Sequence, residues 1–276
     1  MTDRADEQPP ATPPDTAQEA TGPDGTATVS DDLRPAQREA KARRLGRRVP
    51  LVSGVAAVVI AMLLGLVIAG RAGGLPFEFD EEWAEDLVEI RGPFGDIFAY
   101  LMNGLGGGIV GVFVVPVLTA TVLLVLRRPW AALYFIVASA ASAGLVQLLK
   151  SLYGRARPED IMVTSDFGSF PSGHVANAAT IAVALGIIVP HVWVWVLGGV
   201  YTLLMAISRT YLGAHWLSDT IGGVLVGAGA ALVLWALFAA PLERERLARL
   251  ARVSARNAER AQAHVTPPAE PRDIDA

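Results

Sequence analysis

The chain of 276 residues contains no cysteine and few charged side chains. Without thiols, disulfide bonds and thiolate chemistry are excluded. Charged residues make up 18% of the chain, whereas soluble domains carry about 25%. Lysine occurs only at Lys41 and Lys150, so 21 of the 23 basic residues are arginine. The 52% of hydrophobic residues lie in long runs, a pattern that predicts a polytopic membrane protein.

The hydrophobic runs predict an all-α fold, a bundle of six transmembrane helices with disordered termini. The apolar run 97–126 is too long for one span and is interrupted by glycines at 104–108, so we interpret its first part as a short packed segment before the second span. The predicted spans cover about residues 51–70, 109–126, 130–149, 172–190, 192–207 and 216–240.

Three parts of the chain follow from this prediction. Residues 1–48 form a disordered cytoplasmic tail that ends in a basic juxtamembrane run, because their composition cannot bury enough apolar surface to fold. Residues 49–241 form the six-helix transmembrane domain. Residues 242–276 form a basic helix along the membrane surface and a second disordered cytoplasmic tail.

Residues 71–96 carry eight acidic side chains against two arginines. Two interpretations of this segment stay open, an amphipathic helix at about 82–91 lying in the membrane interface, or a simple polar loop. Its function cannot be inferred from the sequence.

Arginine bias in the short loops predicts the orientation. With six spans, the basic run 34–48, the turn 127–128 and the arginine-rich C-terminal segment share one side, which is therefore cytoplasmic. Three polar stretches that follow or precede spans then emerge together on the opposite face. We expect a multi-pass protein of the plasma membrane with its polar site on the extracytoplasmic side.

The first polar stretch, residues 208–219, contains Arg209, His215 and Asp219. Residues four apart share a helix face, so Asp219 can contact His215 and fix its tautomer. Arg209 offers a planar fork of donors suited to a phosphate. A second interpretation is that Arg209 and Asp219 only mark the membrane boundary.

The other two stretches supply matching groups. Lys150 and Arg157 add positive charge, and Ser172 and Gly173 begin a helix whose free N–H groups can bind an anion. His174 is the second histidine. Such a set suits a phosphate that one histidine attacks while the other protonates the leaving oxygen.

The patterns K-x6-R-P, P-S-G-H and S-R-x5-H-x3-D occur here in this order, with every defined position present. In this the sequence resembles the type 2 phosphatidic acid phosphatase superfamily, to which the vanadium haloperoxidases also belong. The resemblance covers about residues 51–240.

The resemblance implies a role for each matching residue. His215 is similar to the family's nucleophile, Asp219 to the carboxylate that orients it, and His174 to the general acid. The resemblance implies that neither a metal nor another cofactor is needed. It also implies that a water molecule hydrolyses the phosphohistidine. The implied phosphate-binding residues are Lys150, Arg157, Ser172, Gly173 and Arg209.

The function predicted in this way is hydrolysis of a lipid phosphate or diphosphate, of the polyprenyl diphosphate, phosphatidate or phosphatidylglycerophosphate class. A vanadate-dependent haloperoxidase and a non-enzymatic lipid or anion transporter are the alternatives. The expected partners are the membrane and the lipid substrate, with no nucleic acid, and the oligomeric state is unknown. Of the remaining polar residues, we expect Arg155 to contact lipid headgroups and Asn177 to form an interhelical hydrogen bond.

Overall fold

The computed structural model describes residues 35–71, 74–164 and 166–265. The chain divides into two compact units, Met1–Ala42 and Arg43–Ala276, and the description below concerns the second. The predicted disorder of residues 1–34 and 266–276 falls outside the described residues, whereas residues 35–48, the basic end of the predicted tail, are helical. Within them, all regular secondary structure is helical and no strand is present.

Eight α-helices make up the described part of the chain. A π-helical turn, Val110–Val114, precedes the fourth. The helices are α1 (Pro35–Gly70), α2 (Glu78–Glu89), α3 (Pro93–Gly106), α4 (Val115–Val125), α5 (Pro129–Tyr153), α6 (Gly173–Ile188), α7 (Val192–Tyr211) and α8 (Leu217–Val265).

Among the described residues, four helices are long and apolar enough to cross a membrane, namely α1, α5, α7 and α8. A fifth span results if α3 and the helical residues 110–125, which meet at a bend of 44°, are counted as one. Helix α6 is apolar but shorter, with 16 residues. The chain is therefore a multi-pass membrane protein, and the count of six spans stays a prediction.

Two segments differ in extent from the sequence prediction. The basic segment predicted as a surface helix continues α8 without a break to Val265, because its arginine, leucine and alanine residues favour helix. The acidic segment contains a helix, α2, that begins at Glu78 rather than near residue 82. Its start is fixed by Asp80, whose side chain accepts a hydrogen bond from the backbone N–H of Phe77 at 3.3 Å.

Helix α6 lies at the centre of the bundle, in contact with α5, α7 and α8. It is apolar on all sides, as expected of a helix surrounded by others. Its alanines allow close approach, and Gly227 of α8 lies directly against the backbone of Ala176. The close contact with α8 places the first turns of both helices side by side, where the backbone N–H of Ser172 donates to the carbonyl of Asp219 at 3.0 Å.

At the opposite end of these helices, a buried ion pair closes the bundle. The Nε of Arg128 lies 3.3 Å from Glu245 Oε1, and its Nη1 donates to the carbonyl of Ile188 at 3.0 Å. The other carboxylate oxygen of Glu245 accepts the backbone N–H of Trp130 at 2.8 Å. The pair thus caps the last turn of α6 and the first turn of α5.

Candidate active site

Three chain segments meet at one end of the bundle. Helix α5 ends at Gly154, whose left-handed conformation (φ 54°) turns the chain into an extended stretch carrying Arg157. Helix α6 begins beside it with Ser172 as its N-cap. The tight turn after α7 contains Gly213 (φ 64°), packed against the backbone of Asp160, and leads into α8. These local features bring the three predicted motifs together.

A cavity of about 750 Å³ opens at this junction. Six of the eight predicted site residues line its polar part, namely Lys150, Arg157, Gly173, His174, Arg209 and His215. From there it continues as an apolar groove between the α4 and α5 segments, lined by Val112, Phe113, Pro116, Val117, Ala140 and Ala143. The cavity therefore consists of a cationic part and an apolar groove that continues from it.

Lys150 and Arg157, the two cations of the K-x6-R-P motif, share one acidic neighbour, Asp166. Its Oδ1 lies 3.1 Å from Lys150 Nζ and 2.8 Å from Arg157 Nη2. Burial would raise the pKa of Asp166, but Lys150 and Arg157 together hold it below its usual value. Asp166 was not predicted, because a single acid in a polar loop has no distinguishing pattern.

Arg209 reaches the cavity from the last turn of α7 and is buried. Its Nη1 donates to Oδ1 of Asn103 on α3, while its Nε has no partner among the described residues. Asn103 is a second residue that the sequence did not suggest, since it lies outside the three motifs. It holds the guanidinium so that the remaining donors face the cavity.

His215 and Asp219 adjoin as predicted, but not on one helix face. His215 lies in the turn before α8, which begins at Leu217, and Asp219 is in the first helical turn. The Nδ1–Oδ2 distance is 3.7 Å, an ion-pair distance that is too long for a hydrogen bond. The reason is that Oδ2 accepts the backbone N–H of Trp216 at 2.9 Å, so Asp219 also caps the start of α8.

The other ring nitrogen of His215, Nε2, points towards the cations and lies 3.4 Å from Arg157 Nη1. Burial, together with the positive charges of Arg209 and Arg157, lowers the pKa of His215 well below its usual value. The ring is therefore neutral at physiological pH, as a nucleophile requires.

His174, in the first turn of α6, is covered by the glycine run between α3 and α4. A methyl group in place of the Gly107 hydrogen would overlap its ring, so the run explains how α3 can pass so close. Asn177, one turn further along α6, donates to the carbonyl of Gly111 at 2.9 Å. The predicted interhelical hydrogen bond of Asn177 thus holds the bend between α3 and α4 over His174.

Several buried donors at the junction have no partner within the described part of the chain. They include Ser172 Oγ, Arg157 Nε and Arg209 Nε. Buried polar groups are normally hydrogen-bonded, so this concentration of unused donors fits a site for an anion. A side chain at Gly173 would meet only Val146 within the protein, at 3.5 Å, so its hydrogen leaves room beside these donors.

The expectation for Arg155 was wrong. This side chain is 1% exposed, which leaves almost no surface for contact with headgroups. Its Nη1 donates to Asp219 Oδ1 at 2.6 Å, and its Nη2 donates to Asp80 Oδ2 at 2.8 Å. Its position two residues from Arg157 gave no indication that the two side chains have different partners, Asp80 and Asp219 for Arg155 and Asp166 for Arg157.

Part of the chain is similar to known proteins. The profile of the PAP2 superfamily matches residues 131–242. The chain is 33% identical over 112 residues to phosphatidylglycerophosphatase B of Bacillus subtilis, covering 37% of this chain and 55% of that protein. It is 44% identical over 59 residues to undecaprenyl-diphosphatase of Sulfolobus acidocaldarius, covering 21% and 28%. These alignments span about half or less of each relative.

A solved structure shares the fold as well. The crystal structure of a transmembrane PAP2-type phosphatidylglycerolphosphate phosphatase from Bacillus subtilis matches with a TM-score of 0.59 and 27% identity, covering 70% of this chain and 96% of that one. The resemblance to the PAP2 superfamily noted in the sequence is thus confirmed, with the profile match confined to residues 131–242.

Proposed function

We propose that this protein is a membrane phosphatase that hydrolyses a lipid phosphate or diphosphate. The observation that carries the proposal is the joining of a cationic site with two histidines to an apolar groove between α4 and α5. A phosphate head fits the first part and a hydrocarbon chain the second. A haloperoxidase acting on small soluble substrates has no need of such a groove.

The relatives support the same class of substrate. One is named for phosphatidylglycerophosphate and the other for undecaprenyl diphosphate, lipids that share a terminal phosphate but little else. We therefore propose the lipid phosphate class and no single member of it.

In the proposed first step, His215 Nε2 attacks phosphorus. A nitrogen–phosphorus bond forms while the bond to the lipid oxygen breaks, and that oxygen leaves with the electron pair and takes a proton from His174. Lys150, Arg157 and Arg209 offset the negative charge on the phosphoryl oxygens. Asp219, 3.7 Å from Nδ1, stabilises the positive charge that develops on the ring.

In the second step, water attacks the phosphohistidine. The water proton goes to His174, now neutral, and cleavage of the nitrogen–phosphorus bond releases phosphate and regenerates neutral His215. None of the roles proposed for these side chains requires a metal ion. Among the described residues, no three His, Asp or Glu side chains are grouped to hold one.

Phosphate release by the purified protein tests the proposal. The panel contains phosphatidylglycerophosphate, phosphatidate, undecaprenyl diphosphate and an aryl phosphate, each with and without EDTA, with vanadate as inhibitor and His215→Ala as the blank. We expect release from at least one lipid, unaffected by EDTA and inhibited by vanadate. Absence of release from every lipid contradicts the proposed function, and loss with EDTA that magnesium restores contradicts the mechanism.

The site is proposed to face the extracytoplasmic side. Arg127 and Arg128, together with the basic end of α8, lie at the end of the helices opposite the cavity, and positive loops favour the cytoplasm. A reporter fused after Gly168 is expected outside, and one fused after Arg246 inside. Finding both reporters on one side contradicts this orientation.

A further inference from the structure

Behind the His215–Asp219 pair lies a buried chain of charges that the three motifs do not include. Asp80 and Asp219 flank Arg155, with N–O distances of 2.8 and 2.6 Å. All three side chains are fully buried. The hydroxyl of Ser218 accepts a hydrogen bond from Arg155 Nη1 at 2.7 Å and donates one to Asp80 Oδ2, also at 2.7 Å.

Asp80 comes from a distant part of the chain. It lies in the first turn of α2, the helix of the acidic segment, and outside the residues 131–242 that match the superfamily profile. Helix α2 contacts the ends of α7 and α8. There Leu87 is buried in a cluster with Leu212 and Ala214, in the turn that carries His215. The acidic segment is thus packed against the catalytic turn.

Asp80 also acts directly on the start of α8. Its Oδ1 accepts the backbone N–H of Ser218 at 2.8 Å, one of the N–H groups that the first turn of a helix leaves free. A carboxylate at this point also interacts favourably with the helix dipole. Asp80 therefore fixes the residue next to Asp219 through the backbone, in addition to fixing Arg155.

The charges of Asp80, Arg155 and Asp219 together determine the net charge that lies beside His215. Arg155 holds Oδ1 of Asp219, and a lone arginine there would cancel the carboxylate charge that His215 needs when its ring becomes positive. Asp80 supplies the second negative charge, so the three side chains together carry a net charge of −1. That charge is adjacent to Nδ1 of His215, through Asp219 Oδ2 at 3.7 Å.

From this geometry we infer that Asp80 and Arg155 are positioning residues for the His215–Asp219 pair, so that helix α2 is part of the phosphatase site. This inference rests on the proposed function. The two residues touch neither substrate nor the reacting atoms, and they act by holding Asp219 in place with its negative charge directed to the nucleophile.

The alternative is that the chain of charges only fastens α2 to the bundle. The positioning role and the fastening role predict different effects of Asp80→Asn, since this substitution keeps the shape of the side chain and removes its charge. A positioning role lowers kcat for both lipid and aryl phosphate, with KM and the vanadate inhibition constant little changed, because the phosphate-binding residues stay in place. A fastening role lowers the melting temperature and leaves the kcat of the folded protein at the wild-type value.

The test measures kcat, KM, vanadate inhibition and the rate of phosphoenzyme formation in wild type, Asp80→Asn and Glu82→Gln. Glu82 is an exposed acid on the same helix, so Glu82→Gln controls for the loss of one charge and is expected to match wild type. For Asp80→Asn we expect kcat and phosphoenzyme formation to fall by about 10–100-fold, as for other residues that orient a reacting group, and KM to change less than about twofold. Asp80→Glu should recover part of the loss.

A folded Asp80→Asn enzyme with wild-type kcat overturns the inference, as does a loss that appears equally in KM and vanadate binding. If Asp80→Asn does not fold, Ser218→Ala decides by the same measurements, because it removes one link and leaves all charges in place. A fall in kcat with constant KM is then expected, and an unchanged kcat overturns the inference. Wild type that releases no phosphate from any substrate contradicts the proposed function instead.

Discussion

At one end of the bundle Arg128 is buried between α6 and α8, and at the other end Arg157 and Arg209 line the cavity. Arg128 is bonded to Glu245 and to the carbonyl that ends α6. Arg157 and Arg209 each retain a buried Nε without a partner in the described part of the chain. All three side chains share one chemistry, and Arg157 also donates to the carbonyls of Ala214, Asp166 and Gly168. What separates a cation available to a ligand from one that stabilises the fold is therefore its position in the cavity wall.

The same comparison applies within the residues 155–157. Arg155 is bonded to two buried carboxylates, whereas Arg157 lies in the cavity wall beside His215 Nε2 and pairs with the exposed Asp166. Substitutions at the cavity arginines should change turnover more than stability, and substitutions at Arg128 should do the reverse. The predictions below test this separation in order of decreasing effect.

The largest effect is expected at the two histidines. His215→Ala should abolish turnover and phosphoenzyme formation, because no other group replaces the attacking Nε2. His174→Ala should lose about 10²–10⁴-fold with a lipid substrate. An aryl phosphate, whose leaving oxygen needs little protonation, should recover part of that loss in His174→Ala and none in His215→Ala. Recovery in His215→Ala instead would show that the two roles are reversed.

The next largest effect is expected for Arg209→Lys. Lysine keeps the charge but lacks the planar fork of donors, so we expect kcat/KM to fall by about 10²–10³-fold with the melting temperature unchanged. Arg128→Lys is the matched control at the other end, with the melting temperature lowered and the kcat of the folded protein unchanged. Equal effects of the two variants on both quantities would contradict the separation described above.

The charge of Arg209 can be separated from its shape by pH. Arg209 is one of the cations that lower the pKa of His215. A lowered pKa keeps the ring neutral to a lower pH, so the acid limb of kcat/KM in wild type should lie below the usual histidine value of about 6.5. In Arg209→Gln the limb should move to higher pH, and in Arg209→Lys it should stay. If the acid limb of kcat/KM lies at the same pH in all three proteins, the titration of His215 does not determine that limb.

The sequence predicted the cavity side of this site well and its supporting side poorly. Lys150, Arg157, His174, Arg209 and His215 meet as their spacing implied, because each lies at a helix end that the hydrophobic runs located. Asp80, Asn103 and Asp166 were missed because each reaches the site from a segment without a motif. Only the packing of α2 and α3 against α7, which no spacing encodes, brings Asp80 and Asn103 to it.

Residues 208–219 show a second limit of sequence analysis. Spacing by four predicted a shared helix face for His215 and Asp219, whereas α8 begins only at Leu217. The helix starts there because Asp219 accepts the N–H of Trp216, a competition between capping and contact that spacing does not resolve. The site geometry depends on how the helix starts as much as on which residues are present.

A moderate effect, on stability alone, is expected for Glu245→Gln. This substitution leaves Arg128 buried without a countercharge, and breaking a buried pair costs about 3–5 kcal/mol. We expect a lower melting temperature in detergent and an unchanged kcat in the folded fraction. Glu243→Gln is the control, since its ion pair with Arg246 is long, 4.0 Å, and exposed, so its removal should change neither quantity.

The smallest effect is expected for Asp166→Asn. The Asp166 carboxylate occupies donors of Lys150 and Arg157 at 3.1 and 2.8 Å, and an incoming phosphate must compete with it for them. Because those cations hold the pKa of Asp166 below its usual value, the carboxylate stays ionised and competes throughout the neutral range. Removing its charge should tighten inhibition by vanadate and by phosphate by a few fold, and should lower kcat if product release limits turnover.

Asp160→Asn, at an exposed position in the same loop, controls for the loss of one negative charge near the site and should leave both inhibition constants unchanged. Weaker inhibition in Asp166→Asn would show that Asp166 orients the two cations for the phosphate and does not compete with it.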